Sequence, residues 1–238
     1  MQFHLNPDQH AVYDAAFRYA EAELHPLLAR MDDDDWYPDH LMAKLGADGY
    51  CGLTAPEDLG GAGMDLMSAG LVAEAFGYWN PNAAFIWGPH ENLCLNNILR
   101  NGTEDQVARF VPDLCAGRKV GALGLTESGA GSDALGSMAL KAARDGDDYV
   151  LTGRKMFISN GPVADVVLTY AKTAPERGAK GISAFIVDTD TPGFSVAQTL
   201  TKMGWRGCPT GELVFDAVRV PGANRLGAEN AGVGVVMS

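Results

Sequence analysis

Residues 124–133 of this 238-residue chain read GLTESGAGSD, an apolar approach followed by a turn rich in glycine and hydroxyl groups. Glycine lacks a Cβ and permits positive φ, so backbone N–H groups in such a turn can approach a flat or phosphorylated ligand closely. The Thr and Ser hydroxyls add further donors. The segment therefore predicts a strand that runs into a ligand-binding turn. By spacing alone an ordinary mobile turn is the more frequent explanation, and it stays open.

The sequence changes character on either side of residue 120. Before it, Asn6-Pro7 with Gln9, and Thr103 with Gln106, predict helix starts, and apolar residues recur at helical spacing between them. After it, short β-branched or aromatic runs separated by turn signals predict antiparallel strands. These runs cover residues 149–151, 166–170, 182–187 and 212–215.

We predict an α+β fold with an all-helical N-terminal domain followed by an antiparallel β-barrel domain. The predicted boundaries are residues 1–119 for the helical domain and 120–230 for the barrel. Residues 231–238 are either the start of a further helical domain or a short helix docked on the barrel.

Composition and charge narrow the possible functions. Hydrophobic residues make up 47% of the chain and charged residues 20%, which is typical of a folded globular protein. The formal net charge of -12 would repel phosphate backbones and anionic lipid headgroups, so nucleic acid is not an expected partner. An anionic substrate would need a locally basic or dipole-lined pocket. The sequence has neither a basic-then-apolar leader nor a long apolar run, so we predict a cytoplasmic protein without membrane insertion.

The sequence does not predict a metal site. The four cysteines are scattered without a CxxC pair, and we expect them to be reduced and mostly buried. The acidic run Asp32–Asp35 lacks the interleaved ligands and turn glycine of a calcium loop, so a solvated loop is the better interpretation. Among the histidines, His90 lies on a predicted helix near the expected pocket.

Four segments, in order, resemble the acyl-CoA dehydrogenase family. Residues 124–133 resemble the family signature that contacts flavin and thioester, and residues 155–161, KMFISNG, resemble its second flavin segment. Residues 202–206, KMGWR, through Thr210 and Phe215 resemble a third block, and residues 101–106 resemble the junction before the barrel. Within the family, HxNLCxNxxxRNG at residues 90–102 and GVGVVMS at 232–238 are most similar to isovaleryl-CoA dehydrogenases.

The resemblance implies that FAD binds at the barrel and that an acyl-CoA thioester binds between the domains. Lys180 and Ser132 would contact the substrate, although a loop lysine such as Lys180 is more often simply solvated. The cofactor-binding residues that it implies are Leu123, Leu125, Thr126, Gly131, Ser132, Phe157, Ile158 and Ser159.

Two of these positions depart from the family pattern. Phe157 stands where many relatives carry Trp, and it would pack against the flavin ring without an indole N–H. Ser159 stands at a Thr position whose hydroxyl reaches the N5 edge of the ring, and Ser is less stiff about χ1 than Thr. We expect both departures to tune the flavin rather than abolish its binding. The alternative for Phe157 alone is an ordinary aromatic of the barrel core.

The activity that the resemblance implies is α,β-desaturation of a short or branched acyl-CoA. We predict no catalytic residue within this sequence, because the family's base is a glutamate beyond the point where the sequence stops, before a four-helix domain. Glu127 would face away if Thr126 faces the flavin, and Asp133 is typical of a turn or cap residue. The 238 residues alone are therefore expected to bind FAD weakly and to turn over poorly.

The resemblance also implies partners and leaves alternatives. Electron-transfer flavoprotein is the expected electron acceptor, and a homotetramer or other homo-oligomer is the expected assembly of the full-length protein. An acyl-CoA oxidase or flavin monooxygenase of the same superfamily is one alternative function. A non-catalytic fragment that binds flavin and CoA is the other.

Overall fold

The computed structural model describes residues 4–238, in which a helical part is followed by a β-sheet. Short π-helical and 3-10 turns join several of the helices, including Ala20–Leu24, His25–Leu27, Glu57–Leu59 and Pro89–Leu95. The α-helices are α1 (Pro7–Tyr19), α2 (Leu28–Asp33), α3 (Leu41–Ala47), α4 (Leu66–Trp79), α5 (Pro81–Gly88), α6 (Asn96–Asn101), α7 (Glu104–Cys115) and α8 (Gly232–Val236).

Two helices begin where the capping residues predict. The Asn6 side chain accepts from the Gln9 amide at 2.8 Å, and the Gln9 side chain accepts from the Asn6 amide at 3.1 Å, at the start of α1. Thr103 and Gln106 make the same reciprocal pair at the start of α7. Each pair satisfies two backbone donors that would otherwise lack partners, which fixes the first turn of the helix.

The second half of the chain forms one mixed sheet. Along the sheet the strand order is β6-β7-β3-β2-β4-β5-β8, and β1 pairs with β4 off this path. Most neighbouring strands are antiparallel. The strands are β1 (Gly121–Gly124), β2 (Lys141–Asp145), β3 (Asp148–Ser159), β4 (Val166–Lys172), β5 (Ile182–Asp188), β6 (Phe194–Thr199), β7 (Thr210–Val220) and β8 (Arg225–Leu226).

The predicted order of a helical domain followed by a sheet domain is confirmed, but the antiparallel barrel needs correction. Among the described residues the sheet path begins at β6 and ends at β8 without closing. Strand β4 also has two parallel neighbours: Gly124 of β1 pairs with Thr169, and Lys141 of β2 pairs with Lys172. Parallel neighbours need long connections rather than hairpins. The glycine-rich segment after β1 belongs to such a connection.

Strand β4 lies between two hydrophobic cores. Val166, Leu168 and Tyr170 pack with α6, α7 and the adjoining helical residues, whereas Val167 and Ala171 belong to the core on the other face of the sheet. Successive side chains of a strand point to opposite faces, so a strand covered on both faces is apolar throughout. This burial explains the nearly uninterrupted apolar sequence of β4 and fixes the sheet against the helices.

Near the C-terminal end of the described residues, α8 docks on the sheet through Val235, which is buried in the same core as Ile182 and Ala184. The domain boundaries at residues 119 and 230 stay a prediction. In residues 4–238, none of the helices combines the length and apolar character needed to cross a bilayer.

Candidate functional site

A cleft of about 430 Å³ separates the helical part from the sheet. Its strand wall comprises six residues that the sequence predicts to bind cofactor, and they come from two segments that are distant in the chain. These six residues are Leu123, Leu125, Thr126, Phe157, Ile158 and Ser159. The end of β1 and the end of β3 thus meet at one surface, as the predicted site requires.

Phe157 owes its position in the cleft to a β-bulge. In the pairing of β3 with β7, Lys155 lies opposite Leu213 and Ile158 opposite Gly211, so Met156 and Phe157 together face Glu212. Phe157 adopts a φ of 61°, a left-handed conformation that non-glycine residues rarely occupy. The residue is 63% exposed. The alternative of a core aromatic is wrong, because the bulge turns this ring out of the sheet.

Backbone contact holds the two strand segments together. The Met156 amide donates to the Thr126 carbonyl at 2.8 Å, next to Phe157 in the cleft wall. Thr126 and Ser159 are both partly buried, carry hydroxyl groups and belong to the cleft lining. The wall therefore combines an aromatic face with hydroxyl groups and aliphatic side chains.

The strand wall is backed by a buried ion pair between Glu127 and Lys155. Lys155 Nζ donates to Glu127 Oε1 at 2.9 Å and to the Leu125 carbonyl at 3.0 Å. Glu127 also accepts from the amides of Ala139 and Leu140, at 2.6 and 3.0 Å. Burial lowers the pKa of Lys155 to about 8, although the charge of Glu127 opposes this shift. Glu127 thus lies behind Thr126, on the side away from the cleft.

The sequence did not predict the helical wall of the cleft. It is built from the end of α5 and the π-helical turn Pro89–Leu95. A π-helical turn changes which side chains share a helix face, and such turns are frequent at functional sites. In the sequence, Gly88-Pro89 interrupts a long helical pattern, and this interruption is the feature that indicates the turn. The lining residues are Ala84, Phe85, Gly88, Pro89, Asn92 and Leu93.

A second buried carboxylate, Glu91, lies behind this helical wall. It accepts from the amides of Gly52 and Leu53 at 2.6 and 2.7 Å. Burial raises its pKa to about 7, against the opposing effect of these hydrogen bonds. Glu91 forms no ion pair with any residue in the part of the chain that the structure describes. The carboxylate therefore braces the loop before α4 rather than facing the cleft.

His90 is a structural link rather than a member of the cleft. Its Nδ1 accepts from the Gly121 amide at 3.0 Å, which leaves Nε2 to donate to the Leu114 carbonyl at 3.0 Å. Complete burial lowers its pKa to about 4. The neutral ring ties β1 to α7 and to the π-helical turn.

Asn160 connects the two walls. Its side-chain amide donates to the Ile86 carbonyl of α5 at 2.7 Å and to the Gly121 carbonyl of β1 at 3.3 Å. The residue is fully buried and has a φ of 61°. In the sequence, Asn160-Gly161 is a turn signal at the end of segment 155–161, and it predicts no buried contact. The fold uses the turn to direct a buried amide between helix and strand.

The remaining predicted residues lie outside the lining of the cleft. Gly131 and Ser132 are exposed in the loop between β1 and β2, and Lys180 is exposed in the turn Pro175–Gly181. The loop between β1 and β2 is anchored at Gly136, whose carbonyl accepts from Lys172 Nζ at 3.1 Å. The structure brings six predicted residues together and leaves these three on the surface.

A larger hollow of about 490 Å³ lies elsewhere, beside Arg109, Asp188 and Arg219. None of the predicted site residues lines it, and several of its side chains are charged. We assign the site to the smaller cleft because aromatic, hydroxyl and aliphatic groups converge there from separate segments.

Comparison with protein families agrees with the two-part architecture. The model described as "Acyl-CoA dehydrogenase, N-terminal domain" matches residues 6–118. The model described as "Acyl-CoA dehydrogenase, middle domain" matches residues 122–218. Together these models cover both the helical part and most of the sheet.

Individual proteins give the same result. The chain is 40% identical over 238 residues to a mitochondrial isovaleryl-CoA dehydrogenase of Pongo abelii, covering 98% of this chain and 56% of that protein. The chain thus spans about half the length of the curated relatives that it matches.

Two solved structures share the fold. One is a chain in a structure described as the electron transferring flavoprotein of Acidaminococcus fermentans, with a TM-score of 0.95 and 36% identity over 100% of this chain and 62% of that chain. The other is a glutaryl-CoA dehydrogenase of Mycobacterium smegmatis in complex with FADH2, with a TM-score of 0.90 and 32% identity over 98% and 58% of the respective chains.

Proposed function

Because this chain belongs to the acyl-CoA dehydrogenase family, we propose that it binds FAD in the cleft and takes part in α,β-desaturation of a short or branched acyl-CoA. The observation that carries the proposal is the convergence of Thr126 and Phe157 on one cleft wall. The two residues belong to separate segments, each of which resembles a flavin-contacting segment of the family.

The chemistry of the cleft fits FAD. An isoalloxazine is a flat ring system with polar edges, and it suits an exposed aromatic face flanked by hydroxyl groups. The left-handed φ of Phe157 supports a binding role, because backbone strain of this kind clusters at ligand sites. In this proposal Phe157 packs on the ring, Leu123, Leu125 and Ile158 lie along it, and Thr126 and Ser159 bond its polar edges.

FAD, when bound, would accept the hydrogen of the β carbon of the acyl group as a hydride. The residues of the chain orient the ring and exclude water from one side of it, which keeps the reacting centres at a fixed separation. The protein fixes this placement through the strand segments at residues 123–126 and 157–159. Binding and orientation, rather than proton transfer, are the tasks that these side chains can perform.

We assign no base within these residues. The twelve lining residues include no Asp, Glu, His, Lys or Arg in the described cleft. Glu127 is already bonded to Lys155 and two amides, and Glu91 to two amides. Neither carboxylate faces the cleft. The proposal follows the resemblance in taking the base from a later glutamate of the family pattern.

For the substrate, the similarity to isovaleryl-CoA dehydrogenase supports a short or branched acyl group. Ser132 and Lys180 remain the proposed contacts to CoA, outside the cleft lining. The cation of Lys180 would offset phosphate charge on a chain whose formal net charge is -12.

We extend the proposal to partners and location by the same resemblance. Electron-transfer flavoprotein is the proposed electron acceptor, which the similarity to a chain in the flavoprotein structure of Acidaminococcus fermentans supports. A homo-oligomer is the proposed assembly, and a cytoplasmic location stays a prediction.

The function is tested by anaerobic titration of the FAD-loaded protein with isovaleryl-CoA. The 238-residue chain and the longest form that the cell makes, identified by intact mass, are compared. Loss of visible flavin absorbance in the longest form supports the dehydrogenase. Reoxidation by air that is faster than by electron-transfer flavoprotein would favour an oxidase instead. Failure of every form to retain FAD would contradict the proposal.

A second candidate is binding of flavin and acyl-CoA without turnover. The observation that favours it is the lack of any titratable side chain among the lining residues of the described cleft. If this second candidate is correct, isovaleryl-CoA should shift the flavin spectrum in the same titration without bleaching it in any form of the protein.

A further inference from the structure

We infer that the buried pair Glu127–Lys155 is a positioning device that sets the backbone of Leu125 and Thr126 against the flavin. The inference rests on the proposed function, since it concerns how this chain holds FAD. Neither side chain lines the cleft, so both act through the backbone that they hold.

The pair occupies the place where two strands separate. Strands β1 and β2 lie along the same edge of β4, but β1 ends at Gly124 opposite Thr169 and β2 begins at Lys141 opposite Lys172. Between these points the chain leaves the sheet through residues 125–140. A sheet opened in this way leaves backbone groups without ladder partners, and buried groups of this kind need other partners.

Side chains supply those partners. Lys155 Nζ reaches the Leu125 carbonyl just after β1, and Glu127 reaches the amides of Ala139 and Leu140 just before β2. One ion pair therefore fixes both ends of the loop. The loop between these ends, including Gly131 and Ser132, is largely exposed.

The pair is also connected to the cleft surface by short covalent paths. Leu125 and Thr126, which precede Glu127, line the cleft, and Phe157 follows Lys155 by two residues. The Met156 amide, between Lys155 and Phe157, donates to the Thr126 carbonyl. A displacement of the pair would therefore move the hydroxyl-bearing and the aromatic parts of the wall relative to each other.

A purely stabilising role fits the chemistry less well. Apolar residues of similar volume often replace a buried ion pair at no loss of stability, whereas the pair fixes specific backbone groups. Lys155 is fully buried and makes two bonds, and Glu127 makes three. These bonds fix the positions of the backbone groups at the two ends of the loop.

The test compares wild type with the neutral double variant Lys155→Met/Glu127→Gln. Arg154→Met is the matched control, because Arg154 precedes Lys155 on β3, its side chain is 63% exposed in the ion pair with Glu212, and it does not line the cleft. Dissociation constants for FAD and visible flavin spectra are measured on chains shown to be folded by circular dichroism. A role limited to stability would not move the flavin spectrum of a folded variant.

We expect the double variant to bind FAD at least about tenfold more weakly and with an altered flavin spectrum, because a displaced wall loses at least one hydrogen bond to the ring, worth about 1.4 kcal/mol or a factor of ten in the dissociation constant. Arg154→Met should match wild type. A folded double variant with the wild-type dissociation constant and spectrum would overturn the inference while leaving FAD binding by wild type intact. A wild-type chain that bound no FAD would overturn both proposals.

Hydrogen exchange on wild type tests the same point without a variant. The amides of Ala139 and Leu140 bond to Glu127 and belong to residues outside the cleft lining. FAD should slow their exchange if the pair couples the loop ends to the flavin. Unchanged exchange at both amides, with FAD bound, would contradict the inference even if the double variant failed to fold.

Discussion

Behind each wall of the cleft lies a buried carboxylate that accepts from two consecutive backbone amides. Glu127 does so behind the strand wall and Glu91 behind the helical wall. The difference is the counter-charge. Lys155 pairs with Glu127, whereas Glu91 is without an ion pair in the described residues, and burial raises the pKa of Glu91 to about 7. One wall is thus braced by an ion pair and the other by a carboxyl group that holds its proton near neutrality.

This contrast shows that two buried carboxylates with the same kind of amide contacts can respond differently to pH. A carboxylate with two amide donors still carries a desolvation cost, and the protein offsets it either with a cation or with a proton. The stability of the strand wall should therefore depend on a second side chain, Lys155. The stability of the helical wall should depend on pH.

Removing the cation should give the largest effect. Lys155→Met leaves Glu127 buried beside apolar atoms, and breaking a buried pair on one side costs about 3–5 kcal/mol. Urea unfolding measures this loss in the free energy of unfolding. Arg154→Met removes a side chain that is 63% exposed and should change the free energy by less than about 1 kcal/mol. Equal losses in the two variants would remove the distinction between the buried and the partly exposed pair.

The pH dependence of the helical wall should be the next largest effect. The folded pKa of Glu91 lies above its ordinary value of 4.5, so the folded state holds this proton more tightly than the unfolded chain. Its contribution to stability is present below about pH 4.5 and is lost as pH rises to about 7. The expected loss is about 3 kcal/mol, from about 1.4 kcal/mol per pKa unit.

Glu91→Gln isolates this contribution. The variant carries no titrating group at position 91, so the free energy of unfolding of wild type minus that of the variant should fall as pH rises from about 4.5 to about 7. Contributions of other carboxylates cancel in this difference. The neighbouring thiols of Cys51 and Cys115 have raised pKa values and do not titrate in this window. A difference that stays constant with pH would show that Glu91 keeps an ordinary pKa.

The hydrogen bonds of Asn160 between the two walls should contribute less to the free energy of unfolding than either buried carboxylate. Asn160→Gly tolerates the left-handed φ but removes the amide that donates to Ile86 and Gly121. Two buried carbonyls then lose a donor, at a cost of about 1–3 kcal/mol in unfolding free energy. Asn160→Ala should cost about 1 kcal/mol more, because Ala is strained at this φ. Thermal unfolding of the two variants in parallel separates the hydrogen bonds from the backbone strain.

The smallest effect on stability should come from the surface of the strand wall. Phe157→Gly removes a left-handed strain of about 1–2 kcal/mol and adds a chain-entropy cost of about 0.5–1 kcal/mol. The free energy of unfolding should therefore stay within about 1 kcal/mol of wild type in chemical denaturation. A loss of several kcal/mol would mean that Phe157 belongs to the core after all.

The local features of the fold could be predicted from the sequence. Asn6 with Gln9, and Thr103 with Gln106, marked helix starts because capping is a contact over three residues. The apolar run at 166–170 marked β4 because a strand buried on both faces needs one. The strand wall was predicted through its resemblance to a family and not through spacing, which left an ordinary turn as the more frequent explanation.

The contacts that join distant segments could not be predicted. Glu127 meets Lys155, Asn160 meets Ile86, and Glu91 meets the Gly52 amide only in the folded chain. Periodicity reports which face of an element is buried, but it does not report which buried polar groups become partners. For the same reason the sequence predicts an antiparallel barrel and does not predict the parallel pairing of β1 and β2 with β4.

Equilibrium binding of FAD to the purified chain tests the central claim most directly. Wild type should bind about one FAD per chain if the flavin occupies this cleft, and Phe157→Gly should weaken that binding while unfolding at nearly the wild-type free energy. If wild type retained no FAD, or if Phe157→Gly bound it as tightly as wild type, the assignment of this cleft to the flavin would be contradicted.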